Sequence, residues 1–299
     1  MAAEAGATLP SAWFDRGPTA GGGTWFGPCE EGRTRYDRGV SGTPRDGGWL
    51  GRVFFGSEHL LYAGPMAPTA LHAHHAWQIV LGVEADMCLV DGHGGELAGR
   101  AAVIPPDAPH GRTRPARGAL VYVDPDGLAG RRLRRTIAAS ARAPDWAAAA
   151  RPLEAVPLDE LPAAWPEADR LHAAVLAALV GVEVRPRPVH PGVLRVLRRI
   201  PERLDDDLRL ATLAREARLS PGRLGHVFSA EVGIPLRRYV LWARMRRVAE
   251  HLQRGGSVTD AAHAAGFADG AHMSNAFRRM FGLTPSEVAG VVEWVLPPR

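Results

Sequence analysis

Between residues 49 and 125, short apolar runs alternate with polar punctuation. The runs RVFFG (52–56), HLLYA (59–63), AWQIVLGV (76–83), DMCLV (86–90), AAVIP (101–105) and ALVYV (119–123) are rich in β-branched and aromatic residues. Clusters such as VDGHGG and PPDAPHG separate them. Many short strands at close spacing predict a sandwich or barrel. The period then changes. Across 126–182, Leu171, Val175, Ala178 and Leu179 recur three and four apart, a helical face, and Trp165-Pro166 suits a helix start. This helical connector is expected either to close the barrel or to pair two subunits. The segment 183–192, within GVEVRPRPVHPG, reads as a linker and hinge, because its prolines forbid a continuous helix. Residues 1–48 are rich in Gly, Pro and Arg and read as a poorly ordered arm, with Trp13, Phe14, Trp25 and Phe26 expected to dock parts of it.

From 193 to 299 everything reads as helical. Ser220-Pro221 is an N-cap followed by proline at the first helical position. Pro235 opens another helix that Gly255-Gly256 closes. Ser257 with Asp260 resembles a capping box, and Thr284-Pro285-Ser286-Glu287 matches one fully. A shift of 49 residues lays Ser220 on Asp269, Leu224 on Met273, Val227 on Ala276, Phe228 on Phe277 and Gly233 on Gly282. Each unit, 211–228 and 258–277, reads as helix, tight turn, helix, glycine stop. Between them, 235–253 carries one apolar stripe, Leu236, Val240, Leu241, Met245, Val248 and Leu252, with arginines filling much of the rest.

The length of 299 residues suits about two domains, and 46% apolar content suffices for their cores. With no apolar run of about 18 residues, no membrane span is expected. The N-terminus does not read as a signal peptide. Cys29 and Cys88 cannot form a disulfide framework, which suits a reduced, cytoplasmic setting. Every basic residue is arginine, a composition that suggests a GC-rich bacterial genome. Charge is uneven. Residues 190–299 hold 17 Arg against 11 acidic residues, a net of +6, and residues 1–189 hold 19 against 21, a net of −2. A basic C-terminal third suits a polyanion partner, although a solvated basic surface would give the same count.

That third resembles the AraC/XylS transcription regulators. The likeness rests on Gly266-Phe267, on FRRMFGLTP (277–285) and on the spacing of the two units, and it covers about 190 to 292. It implies an all-α domain of two helix-turn-helix units on a linker helix. The second helix of each unit would enter the major groove of double-stranded DNA, about 34 Å apart. Solvent-facing positions of those helices make Arg223, His226, His272, Ser274 and Asn275 the candidates for base edges. Arg238, Arg278 and Arg279 are the candidates for phosphates. Gly222 and Gly225 stand where larger readers are common, so the first unit is expected to read fewer bases directly and to lean on shape. RNA polymerase and, through the connector face, a second copy of the chain are the protein partners expected.

One stretch stands apart. In LHAHHAWQIVLG (71–82), a strand would place His72, His74 and Gln78 on one face and turn His75 away. The N-terminal body resembles a cupin barrel. His72, His74, Gln78 and Gly82 follow its first signature, and Gly99, Pro105 and His110 its second, with Asp107 where glycine is usual. The resemblance implies that His72, His74, Gln78 and His110 line the barrel mouth. They would be the wall of an effector pocket or the ligands of a divalent metal, Zn, Fe, Mn or Ni. Gln78 is neutral and supplies less charge than a carboxylate would. Three readings stand open: a pocket for a small-molecule effector, a metal-containing sensor, and hydrogen-bonded core histidines. Met66, Trp77 and Met87 read as core. A metal-dependent cupin isomerase or dioxygenase fused to a DNA-binding domain is the rival class. No general acid/base pair, P-loop or dinucleotide turn supports it, so no catalytic residue is assigned. The expected whole is a two-domain, ligand-responsive transcription regulator, sensing through 49–125, connecting and dimerising through 126–182, and binding a promoter through 193–299.

Overall fold

The computed structural model describes residues 26–27, 50–56, 59–83, 87–181, 189–206 and 208–297. Most of the arm and the centre of the expected hinge (182–188) therefore lie outside the described residues. The N-terminal body consists of two sheets. Strands β1 (Phe26–Gly27), β4 (Thr69–His72), β6 (Met87–Asp91), β7 (Glu96–Gly99) and β9 (His110–Arg112) form one, in the order β1-β7-β6-β9-β4. Strands β2 (Arg52–Phe55), β3 (His59–Met66), β5 (Trp77–Gly82), β8 (Ala101–Ile104), β10 (Ala116–Val123) and β11 (Glu293–Val295) form the other, in the order β11-β2-β3-β10-β5-β8. Among the described residues no ladder joins the two sheets, so the expected barrel is not closed.

Period-two alternation divides the six-stranded sheet between two cores. Phe55, Leu60, Tyr62, Val80, Ile104, Leu120 and Tyr122 point into one. Phe54, Leu61, Trp77, Ile79, Val103 and Val121 point into the other, beneath helices α1 (Leu128–Thr136) and α3 (Trp165–Val180). A sheet covered on both faces needs apolar residues at every position, which is why its strands read as continuous apolar runs. The connector face Leu171, Val175 and Leu179 is spent on this burial. It covers the outer face of the sheet, which is neither of the two uses expected for it. Helix α2 (Ala143–Ala150) packs along β8 and β7.

Six helices follow: α4 (Pro191–Arg199), α5 (Leu210–Ala217), α6 (Pro221–Glu231), α7 (Leu236–Gln253), α8 (Val258–Ala264) and α9 (Gly270–Phe281), then the single turn α10 (Pro285–Val288). The first helix pair, with α4, encloses its own core of Val193, Val196, Leu213, Leu224 and Phe228. The second pair does not. Its Met273, Phe277, Met280 and Phe281 share a core with the inner face of the sheet. The all-helical expectation for 193–299 also fails at its far end. There β11 lies parallel to β2, Trp294 opposite Val53, because the apolar run around Trp294 completes an open sheet edge. Among the described residues no helix is long and apolar enough to cross a membrane.

Candidate functional site

Residues 71–78 are not one strand. Strand β4 ends at His72, residues 73–76 form a bend, and β5 begins at Trp77. The imidazoles still converge, for a different reason. His72 and His110 are direct cross-strand partners in the β4–β9 ladder, which puts their side chains on one face. The bend then brings His74 over them. Ring centroids lie 4.4 Å apart for His72 and His110, 4.9 Å for His74 and His110, and 5.8 Å for His72 and His74. One ring nitrogen from each falls within 4.8 Å of the others. His75 turns away to Asp107 Oδ2 (3.1 Å), and Asp107, standing where glycine is usual, has φ of 63°, the left-handed region glycine favours.

The hydrogen bonds orient these rings. His72 Nδ1 is 2.9 Å from the Ala70 carbonyl oxygen and His110 Nδ1 2.8 Å from that of Ala108. A carbonyl only accepts, so both Nδ1 atoms carry the proton and both Nε2 atoms keep a free lone pair. This is the arrangement in which backbone carbonyls orient metal-binding histidines. His74 Nε2 lies 2.6 Å from Gln78 Oε1, while His74 Nδ1 is buried without a hydrogen-bond partner. Gln78 Oε1 also sits 3.2 Å from His110 Nε2, which carries no proton in that tautomer, so this is a close approach and not a hydrogen bond. Burial holds the His74 pKa down to about 4 and lowers those of His72 and His110, and the buried Arg112 guanidinium pushes the latter two the same way. The rings are therefore neutral near pH 7, the form that ligates metal. Three convergent imidazoles, two of them carbonyl-oriented, and an orphaned buried nitrogen fit a divalent transition metal. His72, His74 and His110 would hold it, with Gln78 as an oxygen donor.

The site has a cover that the sequence did not announce. Gly282, the left-handed residue after α9 (φ 77°), lies against the rings. A Cβ built there would stand 2.7 Å from His72 Cδ2, 3.1 Å from His72 Nε2 and 3.2 Å from His74 Cδ2. The N–H groups of His75 and Ala76 donate to the carbonyls of Arg279 (2.6 Å) and Met280 (3.3 Å) in the last turn of α9. Phe281 follows, edge-on to Tyr122 at 5.5 Å and to Phe55 at 6.1 Å, and Tyr122 packs against His74 at 5.2 Å. A small apolar cavity of about 50 Å³ lies beside it, lined by Tyr62, Leu120, Phe277, Phe281, Val292 and Trp294 among others.

In the helical part, Ser220 Oγ accepts from the Arg223 N–H at 3.3 Å and Asp269 Oδ1 from the His272 N–H at 2.6 Å, so the matched caps start both second helices, α6 and α9. Arg223, His226, His272 and Asn275 are exposed and Ser274 half-buried. Arg278 and Arg279 are exposed. Arg238, expected on phosphate, is engaged elsewhere. Its Nη2 and Nε donate to Asp124 Oδ2 at 2.7 and 3.0 Å, and Trp242 Nε1 donates to the same oxygen at 2.6 Å. Asp124 is wholly buried, and a buried carboxylate needs such partners, so it takes the guanidinium that DNA was expected to use.

Residues 213–290 match a family described as a helix-turn-helix domain. The chain is 33% identical over 100 residues to the HTH-type transcriptional regulator GlxA of Rhizobium meliloti (strain 1021), and spans about a third of that protein (31%) and of itself (33%). The C-terminal domain of AraT, a response regulator from Geobacillus stearothermophilus, is similar at 25% identity and a TM-score of 0.32, over 34% of this chain and 85% of that one. ToxT from Vibrio cholerae is similar at 11% identity and a TM-score of 0.40, over 78% of this chain and 98% of that one.

Proposed function

Because residues 213–290 are a helix-turn-helix domain of the AraC type, we infer that the chain is a sequence-specific, ligand-responsive transcription regulator acting on double-stranded DNA. The observation that carries this reading is the pair of capped helices, α6 and α9, each offering exposed polar side chains on one face. Arg223 and His226 on α6, and His272, Ser274 and Asn275 on α9, read base edges in adjacent major grooves. Arg223 suits guanine and Asn275 suits adenine. Arg278 and Arg279 hold phosphates and set register. The histidine cluster under α9 is the sensing element, with a divalent transition metal as the occupant its donor set fits best. The reading includes no catalytic step. RNA polymerase is the protein partner for activation, and a second copy of the chain would bind through a surface other than the buried face of α3.

The test is selection of duplexes from a random-sequence pool by the full chain. Two motifs about one helical turn apart should be enriched. Retention of the pool without enrichment would leave a basic protein with no reading function.

A further inference from the structure

We propose that the last turn of α9 is the lid of the histidine site, so that the occupancy of His72, His74 and His110 sets how the second DNA-reading helix is held. This rests on reading the cluster as a metal site and adds its coupling. Three independent contacts join lid and cluster. Gly282 lies against His72 and His74 so closely that an added methyl group would force His72 to shift. The peptide N–H groups of residues 75 and 76, in the bend that carries His74, hold the carbonyls of Arg279 and Met280. Tyr122 packs edge-to-face against both His74 and Phe281. The lid also decides the occupant. His74 and His110 are each 2% exposed and Gly282 closes the side towards α9, so the cluster takes a bare cation rather than an organic effector.

The consequence runs along the helix. A cation shared by three imidazoles fixes His72 and His74 and with them the bend 73–76, whose His75 and Ala76 N–H groups grip the final carbonyls of α9. An α-helix of 12 residues transmits orientation from its last turn to its first two, where His272 and Asn275 stand. The second helix pair is buried in the core it shares with the sheet, whereas the first has a core of its own and meets the shared one only just past α6, at Val232 and Ile234, so the signal reaches chiefly the second reading helix. The route needs no hinge in the interdomain linker. By linkage, cation and DNA must change each other's affinity by the same factor.

Hydrogen–deuterium exchange of the full chain, with Zn²⁺ and then with a chelator, tests this. Zn²⁺ should slow exchange across 277–283 by about fivefold or more, the low end of ordinary coupling, leave 221–231 unchanged, and alter neither segment in His72→Ala. Zn²⁺ bound with exchange at 277–283 unchanged or faster, or with 221–231 slowed equally, would overturn the lid while leaving the metal site standing. No binding of Zn²⁺, Mn²⁺, Fe²⁺ or Ni²⁺ by the wild-type chain would overturn both. Because wild-type protein carries the comparison, a poorly folded His72→Ala chain would not blunt it.

Discussion

The backbone N–H of His75 donates to the carbonyl oxygen of Arg279 at 2.6 Å, tying the histidine-bearing bend to the end of α9. The last carbonyls of a helix have no partner within it. Here two of them are satisfied by a segment some 200 positions away, at the border of two sheets. Gly282 makes that approach possible by having no side chain. Replacing it tests the fit. Gly282→Ala should cost about 1–2 kcal/mol from the left-handed backbone alone, and more from the collision with His72. Gly255 is the internal control, since it has φ of 77° and no atom within 4 Å of an added Cβ. The gap between the two variants in urea unfolding isolates the collision. Equal losses would mean that His72 simply steps aside.

Asp124 is the second tie between the two parts of the molecule. It accepts from Arg238 and Trp242, and from the Asp126 N–H at 2.9 Å. Removing one partner of a buried pair strands the other. Asp124→Ala should therefore destabilise by about 3–5 kcal/mol, read by urea denaturation. A loss under about 1 kcal/mol would show that water replaces the carboxylate.

The DNA contacts separate by kind. Arg223→Ala should cost about 1–3 kcal/mol on a selected sequence and relax one base position. Arg278→Ala should weaken every duplex alike and lower the slope of log affinity against log salt by about 1. Titrations at several salt concentrations on selected and scrambled duplexes distinguish them. Equal loss on both duplexes for Arg223→Ala removes it from the base-reading set.

Away from the cluster, a buried histidine pair should add to acid sensitivity. His59 on β3 and His172 on α3 stack at 3.7 Å and 12°, and His172 Nε2 is buried without a partner. Burial holds His59 down to about 4. Burial, and then His59 itself, pushes His172 well below the ordinary 6.5. The unfolded chain therefore binds more protons than the folded one between pH 6.5 and about 4. Stability is full above 6.5 and is lost as pH falls through that window. His59 alone contributes about 3 kcal/mol of this at ~1.4 kcal/mol per unit. In the His59→Phe/His172→Phe double variant, the unfolding free energy should fall less steeply over that window. The cluster histidines keep a remaining slope. An unchanged slope would place the acid sensitivity elsewhere.

The longer strands were legible because sheet burial on both faces writes itself as apolar runs. TALH, ELAG and HGR, the strands β4, β7 and β9, were not. They are short, and two of them turn histidine rather than an aliphatic side chain inward, so neither composition nor alternation marks them. His72, His74 and Gln78 were expected on one face by a local strand argument that the bend at 73–76 replaces, and His110 was added only by resemblance. Their convergence depends on pairing β4 with β9, which is tertiary information. The caps at Ser220 and Asp269 were legible because a cap is a contact three residues long. Arg238 was misplaced because its partner lies 114 positions away, and a helix pattern cannot show what faces it. β11 was missed because it follows a capping box in an otherwise helical stretch, and its partner β2 lies near the start of the described body.

The pairing of β11 with β2 joins Arg52 to Glu293 across 241 positions. During synthesis the β2 edge and the inner face of its sheet leave the ribosome long before Trp294, Phe281 and Met280 exist to cover them. The nascent sandwich must wait, apolar face open, while α1 to α10 are made. Loop-closure entropy makes so distant a contact slow to form. The first helix pair, with a core of its own, can fold during that interval. The second cannot, and it reaches its final form in the same event that completes the sensor.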